Sequence, residues 1–214
     1  MVPLAIRRHM MPGVTLAAFI ATVLPAGRSG LHHLALGVTL LGLYWIVEWR
    51  GIGGTFEGRV PRRPLGMLRR ALWLAGLVIC VADALWFHWT PWQGLHVRAA
   101  GVVVFVAGVA LRFWSMRTLS RAFSYDLKVA EGQELVRHGP YRFLRHPAYS
   151  GLLLWSTGFA LWNPSLPGLA LLLVVTVDEI AFRVREEERL LDAHFGDAWR
   201  QHAEATWAVV PIVW

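Results

Sequence analysis

Apolar runs alternate with short polar connectors along most of the chain. Six stand out, near residues 10–27, 31–49, 71–90, 97–116, 148–162 and 165–182. A helix needs about 20 residues to cross a hydrocarbon core, with a working range of about 17–25, and the first four runs meet it. The fifth, Ala148 to Trp162, is short. Asn163-Pro164-Ser165-Leu166-Pro167 then forces a tight turn, so the pattern predicts a helical hairpin over 148–182 whose first arm is not a full span. No glycine or proline separates the sixth run from the polar stretch that follows, which predicts one helix continuing from membrane into water. The expectation is an all-α integral membrane protein of about six hydrophobic helices. Four spans fill 1–116, and the hairpin with a C-terminal helix fills 117–214.

Composition agrees with that pattern. The chain has 214 residues, 56% of them hydrophobic and 16% charged, against roughly 25% charged in soluble domains. Twelve tryptophans fit a chain with two membrane interfaces, where indole rings concentrate. The net charge of +7 raises the question of nucleic acid. However, the arginines lie between apolar spans, where they act as topology signals and contacts for anionic lipid headgroups. Membrane lipids are therefore expected partners, and nucleic acid is not.

Arginines also set the expected orientation. Arg50, Arg59, Arg62, Arg63, Arg69 and Arg70 crowd one connector, and Arg117, Arg121, Lys128, Arg137, Arg142 and Arg145 follow the fourth span. The alternate connectors carry only Arg28 and Arg98. Positive-inside bias then predicts a multi-pass protein with both termini and both polar blocks in the cytoplasm. Arg7-Arg8-His9 before Met10 to Leu24 resembles a signal peptide, but the further spans favour an uncleaved first anchor.

Two polar blocks carry the chemistry. The first, Glu131 to Gly151, reads EGQELVRHGPYRFLRHPAYSG. Gly139-Pro140 breaks any preceding helix, and Pro147 suits the first position of the next one. The free N–H groups of that turn, with Arg142 and Arg145, suggest an anion site for a carboxylate. The second block, Arg183 to Gly196, reads RVREEERLLDAHFG. Arg183 and Glu187 share a face at i,i+4, with Glu188 shifted about 100°. On spacing alone, this is equally a solvated helix face with ion pairs.

These residues resemble a known family. Leu135-Val136, Gly139-Pro140-Tyr141-Arg142, Arg145-His146-Pro147, Tyr149 and Gly151 are similar to the signature of isoprenylcysteine carboxyl methyltransferases and their bacterial and archaeal relatives. Arg183, Glu187-Glu188, Leu191 and Phe195-Gly196 match that family's second signature at the same spacing. Thr118-Leu119 and Phe123-Ser124 fit its approach, and the likeness covers about residues 112–202. It implies a methyltransferase using S-adenosylmethionine in a cytoplasmic pocket. By position, Gln133, Glu134, Leu135, Val136, Tyr141, His146, Pro147, Ala148 and Tyr149 would line the cofactor site. Glu187 would bind the cofactor, through its amino group, and Arg183 would orient an acceptor carboxylate. Glu188 stands with Arg183 as a catalytic candidate. The chain departs from the family pattern at Gln133, Trp199 and His202, and it lacks an arginine near its closing Val210-Pro211. Those departures bear on the substrate more than on the cofactor.

The implied acceptor is lipophilic or prenylated, carries a carboxylate and enters from the bilayer. A carboxylate is ionised at neutral pH and needs no general base. A phospholipid amine or small thiol, the alternative acceptors, would need one, with His138, Glu188 and Tyr149 as candidates. A membrane reductase using NADPH is a further alternative, and a scaffold or transporter leaves the polar blocks unexplained. The histidines and Cys80 form no cluster with metal-ligand spacing. Gly51-Ile52-Gly53-Gly54 lacks the strand–turn–helix context of a phosphate loop. Asp83, inside the third span, is expected to pair with Arg112 or His88, to stay neutral, or to serve function. Asp178 and Glu179 are expected either to touch the site or to pair with Arg183.

Overall fold

The computed structural model describes residues 66–92, 94–119 and 134–212. The expected spans at 10–27 and 31–49, the Arg50–Arg63 stretch and Gln133 lie outside the described residues. Five α-helices are described: α1 Gly66–Ala82, α2 Leu95–Leu119, α3 Pro147–Trp162, α4 Leu166–Phe195 and α5 Asp197–Glu204. A π-helical turn, Asp83–Phe87, continues α1, and a 3₁₀ turn, Gly139–Arg142, precedes α3. Among the described residues there is no strand, only an isolated parallel bridge between Leu144 and Trp207.

The hairpin forms where the turn residues predict it. Pro147 opens α3 after His146, and Asn163 closes it. Ser165 caps α4 by accepting from the Gly168 N–H at 3.1 Å, the usual use of a serine hydroxyl at a helix start. The first arm, at 16 residues, rises about 24 Å. The second arm continues unbroken for 30 residues, so the sixth apolar run and the polar block share one rigid helix. It ends at Gly196, whose φ of 53° suits a residue without Cβ.

Two described stretches, Leu68–Phe87 and Leu95–Leu119, are long and apolar enough to cross a membrane. Because lipid tails give apolar helices no reason to associate, close van der Waals packing must do so. α2 and α3 form the most extensive helix pair. Gly101 and Gly108 of α2 face Gly151 and Gly158 of α3, backbone against backbone. A Cβ at Gly108 would stand 2.5 Å from the Trp155 nitrogen and 2.7 Å from the Gly151 carbonyl oxygen. Around this seam, fully buried Trp155 stacks on Trp73 at 5.4 Å and meets Phe105 at 5.7 Å. α1 packs on α4, and Arg69 Nε donates to Asp178 Oδ2 at 2.8 Å between them.

Asp83 departs from the expected pairing. Its fully buried carboxylate accepts from the Trp89 N–H at 2.6 Å and the Thr90 hydroxyl at 2.8 Å, not from Arg112 or His88. The Thr90 Oγ1 in turn accepts from the Leu166 N–H at 2.7 Å. The carboxylate therefore ties the α1–α2 connection to the start of α4. The chain reverses here through His88, at φ 52°.

Candidate active site

The two polar blocks meet through five side chains. α4 presents Glu187 and Glu188 to the segment that opens α3. Glu187 Oε1 accepts from the Tyr149 hydroxyl, and Glu187 Oε2 lies 3.2 Å from His146 Nδ1. Glu188 Oε1 lies 3.4 Å from His146 Nε2 and accepts from Arg145 Nε at 2.9 Å. One buried imidazole thus stands between two carboxylates, with Tyr149 at one end and Arg145 at the other. The His146 and Tyr149 rings stack at 5.9 Å. Neighbouring positions on the helix make this possible, since adjacent side chains diverge by about 100° and so reach the two ends of the ring.

The electrostatics follow from that placement. Burial pulls the His146 pKa down, but hydrogen bonds and charge from Glu187 and Glu188 outweigh it and leave the value above the ordinary 6.5. Burial likewise pushes Glu188 up, while hydrogen bonds from His146 and Arg145 and their charges more than offset it, leaving the carboxyl below its usual range. Burial and the nearby Glu187 raise the Tyr141 phenol, which stays protonated. The glutamates keep 28% and 31% side-chain exposure, so both face outward as well as into the clasp.

Not every expected residue joins this cluster directly. Tyr141 is buried in the 3₁₀ turn. Pro147 occupies the first turn of α3, and the Ala148 carbonyl accepts from Arg112 Nη1 at 3.0 Å. Leu135 and Val136 are half-buried in the extended stretch before the 3₁₀ turn, whereas Glu134 is exposed. Arg137 draws that stretch toward α5 by donating to the Ala198 carbonyl at 2.5 Å. Arg183 Nε donates to Glu179 Oε1 at 3.0 Å, one turn back. Glu179 therefore holds Arg183, as one of its two expected readings had it, while Asp178 pairs with Arg69.

Two contributors escape a reading of the sequence. The first is Arg112, buried on α2, which fixes the first turn of α3. An arginine inside an apolar span is a signal of function, and the same rule singled out Asp83. The second is the segment after α5. The Arg145 N–H donates to the Trp207 carbonyl at 2.8 Å and the His146 N–H to that of Ala208 at 2.9 Å. The Ser150 hydroxyl donates to the Val209 carbonyl at 2.6 Å. This strap spends the backbone donors of Arg145 and His146. Arg145 itself, expected to attract a ligand anion, is engaged by protein acceptors. Arg142 is exposed, with its guanidinium over the Phe143 ring at 5.5 Å.

Known proteins share this region. A family profile described as phospholipid methyltransferase matches residues 97–198, which include most of α2, all of α3 and α4, and both polar blocks. Protein-S-isoprenylcysteine O-methyltransferase A of Arabidopsis thaliana is 32% identical over 128 residues, 59% of this chain and 62% of that one. Its B counterpart is 34% identical over 117 residues, 53% of this chain and 58% of that one. Over this region the chain is similar to the isoprenylcysteine carboxyl methyltransferases. The fold agrees with that likeness. A solved structure of a eukaryotic intramembrane Ras methyltransferase, an isoprenylcysteine carboxyl methyltransferase, superposes with a TM-score of 0.62 at 20% identity, covering 96% of this chain and 75% of that one. The matches to the two Arabidopsis relatives span about three-fifths of those proteins' length.

Proposed function

We propose that this chain is an integral membrane methyltransferase that uses S-adenosylmethionine to esterify the carboxylate of a lipophilic, isoprenylcysteine-like acceptor. The observation that carries the proposal is the clasp of Glu187 and Glu188 on His146, Tyr149 and Arg145. It gathers the two motifs shared with the isoprenylcysteine methyltransferases into one partly exposed acidic site. The donor set fits the cofactor, because an ammonium and a sulfonium are both cations and suit a pair of carboxylates. Glu187 would hold the amino group. Gln133, Glu134, Leu135, Val136 and Tyr141 would line the rest, with His146, Pro147, Ala148 and Tyr149 forming its floor.

S-adenosylmethionine supplies the activated methyl group when bound. The protein's own task is alignment and exclusion of water, since an ionised carboxylate needs no base. Arg183 would orient that carboxylate through its planar guanidinium, with Glu179 fixing the arginine from one turn back. Glu188, held ionised by Arg145 and His146, would keep the cation-facing side of the site negative. The arginine distribution supports a cytoplasmic site with both termini on the same side, and six hydrophobic helices with the acceptor entering from the bilayer.

A second acceptor class rests on one observation. The series Tyr149–Glu187–His146–Glu188 could take a proton from an amine, and the matched profile carries the name phospholipid methyltransferase. The deciding experiment is transfer of labelled methyl from S-adenosylmethionine to an S-prenylcysteine or to phosphatidylethanolamine by the purified chain in lipid. Label in a base-labile methyl ester supports the carboxylate, and label in the phospholipid amine supports the alternative. No transfer to either, with NADPH bound instead, would replace both with a reductase.

A further inference from the structure

We propose that Arg145 is a positioning residue that fastens the carboxyl-terminal strap to Glu188, and so sets the acidic face of the cofactor site. The inference rests on the cofactor reading above, and deepens it. Its side chain is only 16% exposed and already serves three acceptors. Nε donates to Glu188, and Nη1 donates to the carbonyls of Ala203, at 2.7 Å, and of Thr206. A substrate carboxylate could bind there only by displacing one of them. A guanidinium presents donors in a fixed fork, so a shift of the strap is passed to Glu188 as a shift of the fork.

The strap is wedged between both blocks. Ala208 and Val209 are each 1% exposed and pack with Ile180 and Val184 of α4, the helix that carries Glu187 and Glu188. On its other side the strap pairs with the backbone of 143–146, including the Trp207 N–H to the Phe143 carbonyl at 3.2 Å. Ala203, at the end of α5, and the strap that follows lie beyond the region matched by the family profile, residues 97–198, so this contact belongs to this chain's own geometry. Glu188 is faced by Arg145 and His146 from the first block and flanked by Glu187 on its own helix. His202 of α5 lies within electrostatic reach of Arg137 and Arg145.

The test compares the full chain with Arg145→Ala and Arg145→Lys in lipid, by calorimetry with S-adenosylmethionine across pH and by hydrogen exchange of the strap amides. The alanine variant should weaken binding by roughly tenfold or more and speed exchange around Trp207. It should also move the acid limb of binding to higher pH, because Glu188 loses a cation that holds its pKa down. Lysine should restore the acid limb but not the strap protection, a split that a merely structural role would not produce. Unchanged affinity, acid limb and exchange in the alanine variant would overturn the proposal. If the alanine variant does not fold, the lysine variant decides, since wild-type strap protection in it contradicts the role of the fork. If the wild-type chain binds no S-adenosylmethionine, the functional reading falls, and strap exchange alone decides for or against the fastening.

Discussion

Glu187 Oε2 lies 3.2 Å from His146 Nδ1, and the next residue, Glu188, meets the other nitrogen of the same ring. An imidazole with a carboxylate at each nitrogen is most stable as the imidazolium, with both N–H groups donating. The site therefore holds a buried imidazolium and the Arg145 guanidinium against two partly exposed carboxylates, whose outward edges are what a cationic ligand would meet.

That balance makes stability depend on pH in a defined direction. The folded-state pKa of His146 is raised above 6.5, so its contribution is complete below that value and is lost as pH rises through the raised one. Glu188 is depressed below 4.5, so its contribution is complete above that value and is lost as pH falls through the lowered one. Thermal unfolding in detergent should show a midpoint that declines in both directions. His146→Asn should flatten the alkaline decline, and an unaltered alkaline limb would assign it to other groups.

Arg183→Lys tests the acceptor end. Lysine keeps the charge but loses the two-point planar contact. kcat/KM for the prenylated acceptor should fall by about 1.5–3 kcal/mol of transition-state binding. The affinity for S-adenosylmethionine should stay near wild type. An equal loss for cofactor and acceptor would move Arg183 into the cofactor site.

Asp83→Ala separates fold from function. Removing the carboxylate leaves the Trp89 N–H and Thr90 hydroxyl without their acceptor, at a cost of about 1–3 kcal/mol. The thermal midpoint should drop, while the folded fraction binds cofactor normally. Loss of binding without loss of stability would make Asp83 a functional residue.

Gly108→Val should be more damaging. Its added carbons meet backbone atoms of Trp155 and Gly151, which cannot rotate away. Overpacking of this kind costs about 1–3 kcal/mol or more. Thermal scanning should show a large loss of stability, and a neutral result would mean that α2 and α3 can separate freely.

The sequence shows the parts of this architecture that depend on local chemistry. Pro147 at a helix start, the 163–167 turn, the unbroken α4 and its stop at Gly196 are all set by residues within a few positions. The motifs also identify His146, Tyr149, Glu187 and Glu188 as belonging together. Contacts between distant segments are different. Nothing near Arg145 announces that Ala203 and Thr206 will occupy its guanidinium, because those acceptors are backbone carbonyls that any residue carries. Asp83 likewise finds a backbone N–H and a hydroxyl across a turn, where charge alone suggested an arginine. Glu179 takes Arg183 because both i,i+4 partners, before and after it, are glutamates, and spacing cannot choose between them.

The most direct test of the central claim is calorimetric binding of S-adenosylmethionine and S-adenosylhomocysteine to the purified chain and to Glu187→Gln, with NADPH alongside. Saturable binding of both adenosyl ligands is expected, weakened about 10- to 100-fold, or about 1.4–2.8 kcal/mol, in the variant, with no binding of NADPH. Equal affinity in wild type and variant, or binding of NADPH in place of the adenosyl ligands, would contradict it.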